Sequence, residues 1–248
     1  MTRPLSTYSA RARIGLIVPP TNTVNEAEWA RLLPPGATAH SQRMALHSDM
    51  TSPDGRAALK DDLAETIAML APMKPDVVAY ACTAGSMLVP SDSLCAEMTE
   101  RSGLPVVTTA DSIVRALRHL GVRRLSIVTP YAEATNQHEV AFLAAHGFET
   151  LAIAGLGIGA NGPCEFPLIA QTPLDRIRAL VAQTFVPGSE ALLITCTDFP
   201  SLPLIDALEG ELGVPVISSN TATLWACLAQ SPGGTTGLTQ GGRLLRGA

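Results

Sequence analysis

Short apolar runs alternate with longer amphipathic stretches along the whole chain. Ile14-Gly15-Leu16-Ile17-Val18 is continuously apolar, as a strand covered on both faces would be. The spacing predicts a helix over Thr23 to Leu33 and another from Ser52-Pro53 to Leu70, the latter opened by an N-cap serine with proline at the first helical position. Asp76-Val77-Val78-Ala79 reads as a buried strand leading to Cys82. A helix from about Ser91 stops near Gly103, where glycine suits a left-handed end. Leu104-Pro105-Val106-Val107 reads as a strand. Asp111 to Leu120 reads as a helix with Ile113, Val114, Leu117 and Leu120 on one face.

The pattern then restarts. Leu125-Ser126-Ile127-Val128-Thr129-Pro130 resembles the first strand, and a helix over Asn136 to Ala145 ends at Gly147. Thr172-Pro173 repeats the cap-and-proline device before a helix, and Ala191-Leu192-Leu193-Ile194 leads to Cys196. Val214-Pro215-Val216-Ile217 echoes the Leu104 strand. A last helix over Thr221 to Ala229 precedes a tail rich in Gly and Thr. The order strand, helix, Cys strand, helix, strand, helix thus occurs twice. It predicts an α/β fold of two pseudo-symmetric open parallel-sheet lobes facing a cleft. One lobe is expected from residues 1–110 with 221–248, the other from 111–220.

Composition narrows the function classes. Only 16% of the 248 residues are charged, so most of the chain can be buried. A net charge of −5 without a dense basic block disfavours nucleic acid, and the few aromatics disfavour base stacking. No apolar stretch approaches the ~20 residues of a membrane span. The apolar run after Arg11 and Arg13 is too short for a signal core and ends in Pro19-Pro20. Five cysteines without a disulfide framework point to a reduced, cytoplasmic protein with free thiols. The cysteines and five histidines lack metal-ligand spacing, so no metal is expected. Gly155-Leu156-Gly157-Ile158-Gly159 does not run from a strand directly into a helix, as a dinucleotide fingerprint must. The apolar composition is compatible with a homo-oligomer, a dimer or higher.

The chemistry-bearing residues are the two cysteines at strand ends. Cysteine most often behaves as a small buried hydrophobe, which is the reading for Cys95, Cys164 and Cys227. Cys82 and Cys196 differ in place, because ligands of open parallel sheets bind at the carboxyl ends of strands. Thr83 and Thr197 follow them as substrate-binding candidates, and a backbone turning into a helix there offers N–H groups to an anion. Asn22 in Pro19-Pro20-Thr21-Asn22-Thr23 reads either as a turn and cap residue or as an uncharged carboxylate ligand. Tyr131 holds the equivalent place in the second half, and Asn161 reads either as a turn residue or as a further ligand.

These pieces, in this order and spacing, resemble the aspartate/glutamate racemase superfamily and, within it, the maleate cis-trans isomerases. Ile14 to Pro19 with Asn22-Thr23, Ser41-Gln42-Arg43-Met44 and Tyr80-Ala81-Cys82 carry the resemblance in the first half. Pro130-Tyr131, Asn161, Cys196 with Pro200-Ser201-Leu202, and Ala222-Thr223 carry it in the second. The resemblance implies two α/β lobes, no cofactor, a small carboxylate substrate, Cys82 as nucleophile and Cys196 as its partner. It also implies Asn22, Tyr131 and Asn161 as carboxylate ligands. The related arylmalonate decarboxylases lack the first cysteine. The chain departs from the isomerases at Pro20-Thr21, Thr83-Ala84-Gly85 and the acidic Asp198. Three activities follow as expectations, beside decarboxylation of a substituted malonate, which the presence of Cys82 disfavours. The first is cis-trans isomerisation through a thioether on Cys82, and the second is racemisation by two acid/base thiols. The third is binding of a small acid without turnover.

Overall fold

The computed structural model describes residues 6–47 and 52–247. Strands β1 (Ala12–Val18), β2 (Ala37–Arg43), β3 (Val77–Tyr80) and β4 (Val106–Thr108) form one parallel sheet in the order β2-β1-β3-β4. Strands β5 (Arg124–Tyr131), β6 (Glu149–Ile158), β7 (Ala191–Ile194) and β8 (Val216–Ser218) form a second in the order β6-β5-β7-β8. The two orders are the same, so the internal repeat read from the apolar runs is a repeat of topology. The central strands β1, β3, β5 and β7 are almost wholly buried, which is why their sequences are continuously apolar.

The helices are α1 (Asn25–Leu32), α2 (Pro53–Leu70), α3 (Ser93–Ser102), α4 (Thr109–His119), α5 (Glu133–Ala145), α6 (Pro167–Ala170), α7 (Leu174–Thr184), α8 (Leu202–Leu212), α9 (Ser219–Ala229) and α10 (Gly242–Arg246). Ser52 caps α2 by accepting the Gly55 N–H, with Pro53 at the first helical position. Gly103 ends α3 in the left-handed conformation at φ 68°. The matching device before α7 is different from expectation. Pro173, at φ −63° and ψ 142°, is itself the flanking residue, and the Thr172 hydroxyl donates back to the Leu168 carbonyl. A short preceding helix, α6, claims that hydroxyl.

Helices α4 and α9 tie the lobes together. Ile113, Val114 and Leu117 of α4 share a core with Leu125, Ile127 and Leu193 of the second sheet. Leu224, Cys227 and Leu228 of α9 pack in the core that holds Ile14, Leu16, Val77 and Ala79 of the first sheet. Each such fully buried aliphatic side chain contributes about 1.5–3 kcal/mol by leaving water. α10 packs on α8, α9 and β8.

Two acids fasten the lobes at the cleft. Glu28 of α1 is buried and accepts the N–H groups of Ser201 (2.8 Å) and Leu202 (2.7 Å) at the start of α8, and the Asn220 side-chain amide at 2.7 Å. In return Asp198 accepts the Thr23 and Val24 N–H groups at the start of α1, at 2.7 and 3.2 Å. Helix N-termini favour negative charge, so each lobe supplies the acid that caps the other's helix. This reciprocal clamp sets the loop after β1 against the loop after β7.

Candidate active site

In a sheet of order β2-β1-β3-β4 the chain leaves β1 and β3 in opposite directions, and the crevice opens at their carboxyl ends. Asn22 follows β1 and Cys82 follows β3. In the second sheet the same crevice opens between β5 and β7, where Tyr131 ends β5 and Cys196 follows β7. The two crevices meet in one cavity of about 100 Å³. Its lining comprises Pro19, Thr21, Asn22, Leu46, Cys82, Thr83, Ala84, Tyr131, Phe166, Ile169, Cys196, Thr197 and Asp198. Sites for drug-sized ligands span roughly 300–1,000 Å³, so this one suits a small molecule.

Both cysteines are partly exposed residues that line the cavity. Burial pushes the Cys82 thiol up from its ordinary value, against hydrogen bonds from the Gly85 N–H and the Tyr80 hydroxyl. Burial pushes Cys196 up as well, to about 12. Hydrogen bonds from Tyr131 and the Asp198 N–H oppose that rise, while the Asp198 carboxylate and a charge on Cys82 add to it. Cys196 also sits at φ 88°, a left-handed conformation costing about 1–3 kcal/mol for a residue with a side chain. The Ser219 hydroxyl at the start of α9 holds it there by accepting the Cys196 N–H at 3.0 Å.

Asn22 is a cap and a cavity residue at once. Its carbonyl accepts the Val24 and Asn25 N–H groups, and its amide donates to the Thr197 hydroxyl at 3.0 Å. Thr197 in turn donates to the Ala81 carbonyl, and Thr83 bonds to Ser219 at 2.9 Å. The two threonine hydroxyls therefore join the lobes. The backbone N–H groups of Thr83 and Thr197 have no hydrogen-bond partner among the described residues, which leaves them as anion donors. Tyr131 lines the cavity and its hydroxyl meets the Cys196 sulfur.

Asn161 is placed differently from the expectation. It lies on an exposed turn after β6, where its amide donates to Glu165 at 2.6 Å, and it does not line the cavity. The Glu165 carboxylate also gathers the Gly159 and Asn161 N–H groups, so this turn is closed on itself. The same loop instead sends Phe166 and Ile169 to the cavity, which residue chemistry alone did not single out. Gly155 of the glycine run has a steric cause. A Cβ on Gly155 would lie 2.2 Å from the Tyr131 carbonyl oxygen, so glycine here lets β6 close on the strand end that carries Tyr131.

Asp198 lines the cavity and Glu139 lies behind it, and residue order alone singles out neither as a site residue. The free Oδ2 of Asp198 is buried without a hydrogen-bond partner among the described residues, and burial raises its pKa to about 6. Glu139 of α5 is buried behind Thr195, which donates to it at 3.1 Å, and burial raises it to about 8.

A cleft with one thiol at each of two topological switch points defines a two-cysteine α/β enzyme of the aspartate/glutamate racemase type. The arylmalonate decarboxylase family matches residues 14–245, and the chain belongs to that family. It is 32% identical over 247 residues to the maleate isomerase of Nocardia farcinica, covering 94% of this chain and 95% of that one. It is 30% identical over 236 residues to the arylmalonate decarboxylase of Bordetella bronchiseptica, covering 94% of this chain and 95% of that one. Among solved structures it resembles a variant of the N. farcinica maleate cis-trans isomerase with a covalently bound succinylcysteine intermediate. The TM-score is 0.79 at 28% identity, with 96% of this chain and 99% of that chain covered. These likenesses make the chain an enzyme of the isomerase class. Among the described residues, no helix is long and apolar enough to cross a membrane.

Proposed function

We propose that the protein is a cofactor-independent cis-trans isomerase of a maleate-like small dicarboxylate, working through a thioether on Cys82. The observation that carries this reading is the pair of unlike thiols on one small cavity. The covalent succinylcysteine of the Nocardia relative supports it.

Cys82 as thiolate adds to one alkene carbon, forming the C–S bond. The alkene's π electrons move to the neighbouring carbon and its carboxylate. The Thr83 and Thr197 N–H groups, the remaining Asn22 amide hydrogen and the Tyr131 hydroxyl are the donors available to that charge. Cys196, pushed to about 12, is protonated at neutral pH and gives its proton to the carbanion. The former double bond is now single and rotates. Cys196 takes the proton back, the C–S bond breaks, and the trans diacid leaves with Cys82 restored as thiolate.

A second reading, decarboxylation of a substituted malonate, draws on the apolar wall of Leu46, Phe166 and Ile169. The presence of Cys82 favours the isomerase. Incubating maleate, arylmalonates and amino acids with the enzyme in deuterated water, followed by proton NMR, separates the reactions. A fumarate signal from maleate is expected. Loss of a carboxyl group from an arylmalonate, with maleate untouched, would replace the isomerase by the decarboxylase.

A further inference from the structure

Tyr80 and Cys82 are two residues apart at the end of β3, so their side chains leave the chain on the same face. That face is the core beneath the first sheet, where Tyr80 packs with Ile17, Leu63, Leu94 and Met98 and Cys82 borders the cluster. A phenylalanine would fill this space as well, and a phenol so buried needs a partner for its hydroxyl. The Cys82 sulfur is the neighbour placed to be that partner, and such a bond would hold the thiol down against its burial.

Gly85 shows how closely this pair is built. A Cβ on Gly85 would lie 2.6 Å from the Tyr80 hydroxyl oxygen and 3.0 Å from the Cys82 sulfur. Its φ is not in the left-handed region, so backbone conformation does not call for glycine here. Close approach does. The turn at Ala84–Ser86 closes over both atoms, and the Gly85 N–H reaches the sulfur as well. The other titratable groups facing Cys82 are Tyr131 and Cys196 across the cavity.

We propose that Tyr80 is a positioning residue for Cys82: its buried hydroxyl, with the Gly85 N–H, donates to the sulfur from the protein side, favouring the thiolate and aiming it at the cavity. The inference rests on the reading of Cys82 as the nucleophile, but it is tested without turnover. Alkylation of Cys82 by iodoacetamide is followed by peptide mass spectrometry across pH in wild type and Tyr80→Phe; Cys164, which the structure leaves exposed rather than buried as its residue type suggests, is the internal control. In Tyr80→Phe the Cys82 midpoint should move up by about one pH unit, which slows alkylation about tenfold below the midpoint, while Cys164 is unchanged. Replacing tyrosine throughout by 3-fluorotyrosine, a more acidic phenol, should move the Cys82 midpoint down, and this arm stands if Tyr80→Phe does not fold. An unmoved midpoint in folded Tyr80→Phe, or in the fluorotyrosine protein, overturns the proposal. A moved midpoint without maleate turnover by wild type would leave the positioning role in place and remove the isomerase reading.

Discussion

Cys82 and Cys196 occupy the same place in two copies of one topology, and burial raises both thiols against one tyrosine hydroxyl and one backbone N–H each, yet their charged neighbours differ. Around Cys82 the sulfur meets two donors, the Tyr80 hydroxyl and the Gly85 N–H, and no carboxylate acts on it. Around Cys196 the Asp198 carboxylate and the facing Cys82 both oppose a negative charge. Cys196 is further held at φ 88° by Ser219, whereas Cys82 is not in the left-handed region. Hydrogen bonds to a charged form favour it, and like charges disfavour it. The fold thus supplies two equivalent positions, and nearby negative charges weigh against a thiolate at Cys196, the difference on which the proposed roles of nucleophile and proton holder rest.

The sharpest way to break this comparison is to exchange each sulfur for oxygen. Cys82→Ser should abolish maleate isomerisation to below detection, because a serine hydroxyl is scarcely ionised at neutral pH. Cys196→Ser should retain measurable turnover, reduced about 10²-fold as for loss of a proton-transfer group. Fumarate formation by both variants checks this, and equal loss in the two would erase the asymmetry and favour a racemase.

Next in size is the clamp that holds the two halves in register. Glu28→Ala leaves the Ser201 and Leu202 N–H groups and the Asn220 amide without their acceptor. Destabilisation of about 3 kcal/mol or more is expected, read from urea midpoints. Asn22→Ala should raise the barrier to turnover by about 1.5–3 kcal/mol, through loss of a donor to a charged substrate. Its stability should fall by about 1 kcal/mol from loss of the cap. Stability loss without change in kcat/KM would make Asn22 a cap alone.

The last effect is read as a slope against pH and concerns the acid behind the Cys196 side. Glu139 has a folded pKa raised to about 8, so the native state holds its proton more tightly than the unfolded chain does. Its contribution is therefore full below about pH 4.5 and is lost as pH rises toward 8. Stability should decline across that window by up to about 1.4 kcal/mol per pH unit from this group. Glu139→Gln should flatten that part of the profile, as measured by denaturant midpoints at pH 5 to 8.

Much of the frame is legible in residue order because β1, β3, β5 and β7 are buried on both faces, and burial writes itself as unbroken apolar runs. β2, Ala37–Arg43, is a half-exposed edge strand of mixed polarity and carries no such mark. β6, Glu149–Ile158, is likewise only partly buried, and its Gly155 answers to strand approach while Gly157 answers to a left-handed φ of 76°. The site divides in the same way. Cys82, Asn22, Tyr131 and Cys196 stand directly after legible strands, so their meeting follows from topology. Asn161 lies on a turn whose hydrogen bonds to Glu165 have no sequence signature, and it falls outside the cavity. Asp198 and Glu28 act across lobes, between residues more than 170 positions apart, where no local pattern can announce them.

Intact-protein mass spectrometry during turnover of maleate tests the central claim most directly, with peptide mapping of any adduct. The account predicts a species heavier by one substrate, carried on Cys82 and absent from Cys95, Cys164, Cys196 and Cys227. Quenched turnover with no adduct on Cys82, together with full deuterium incorporation at the α-carbon of an amino acid, would contradict it.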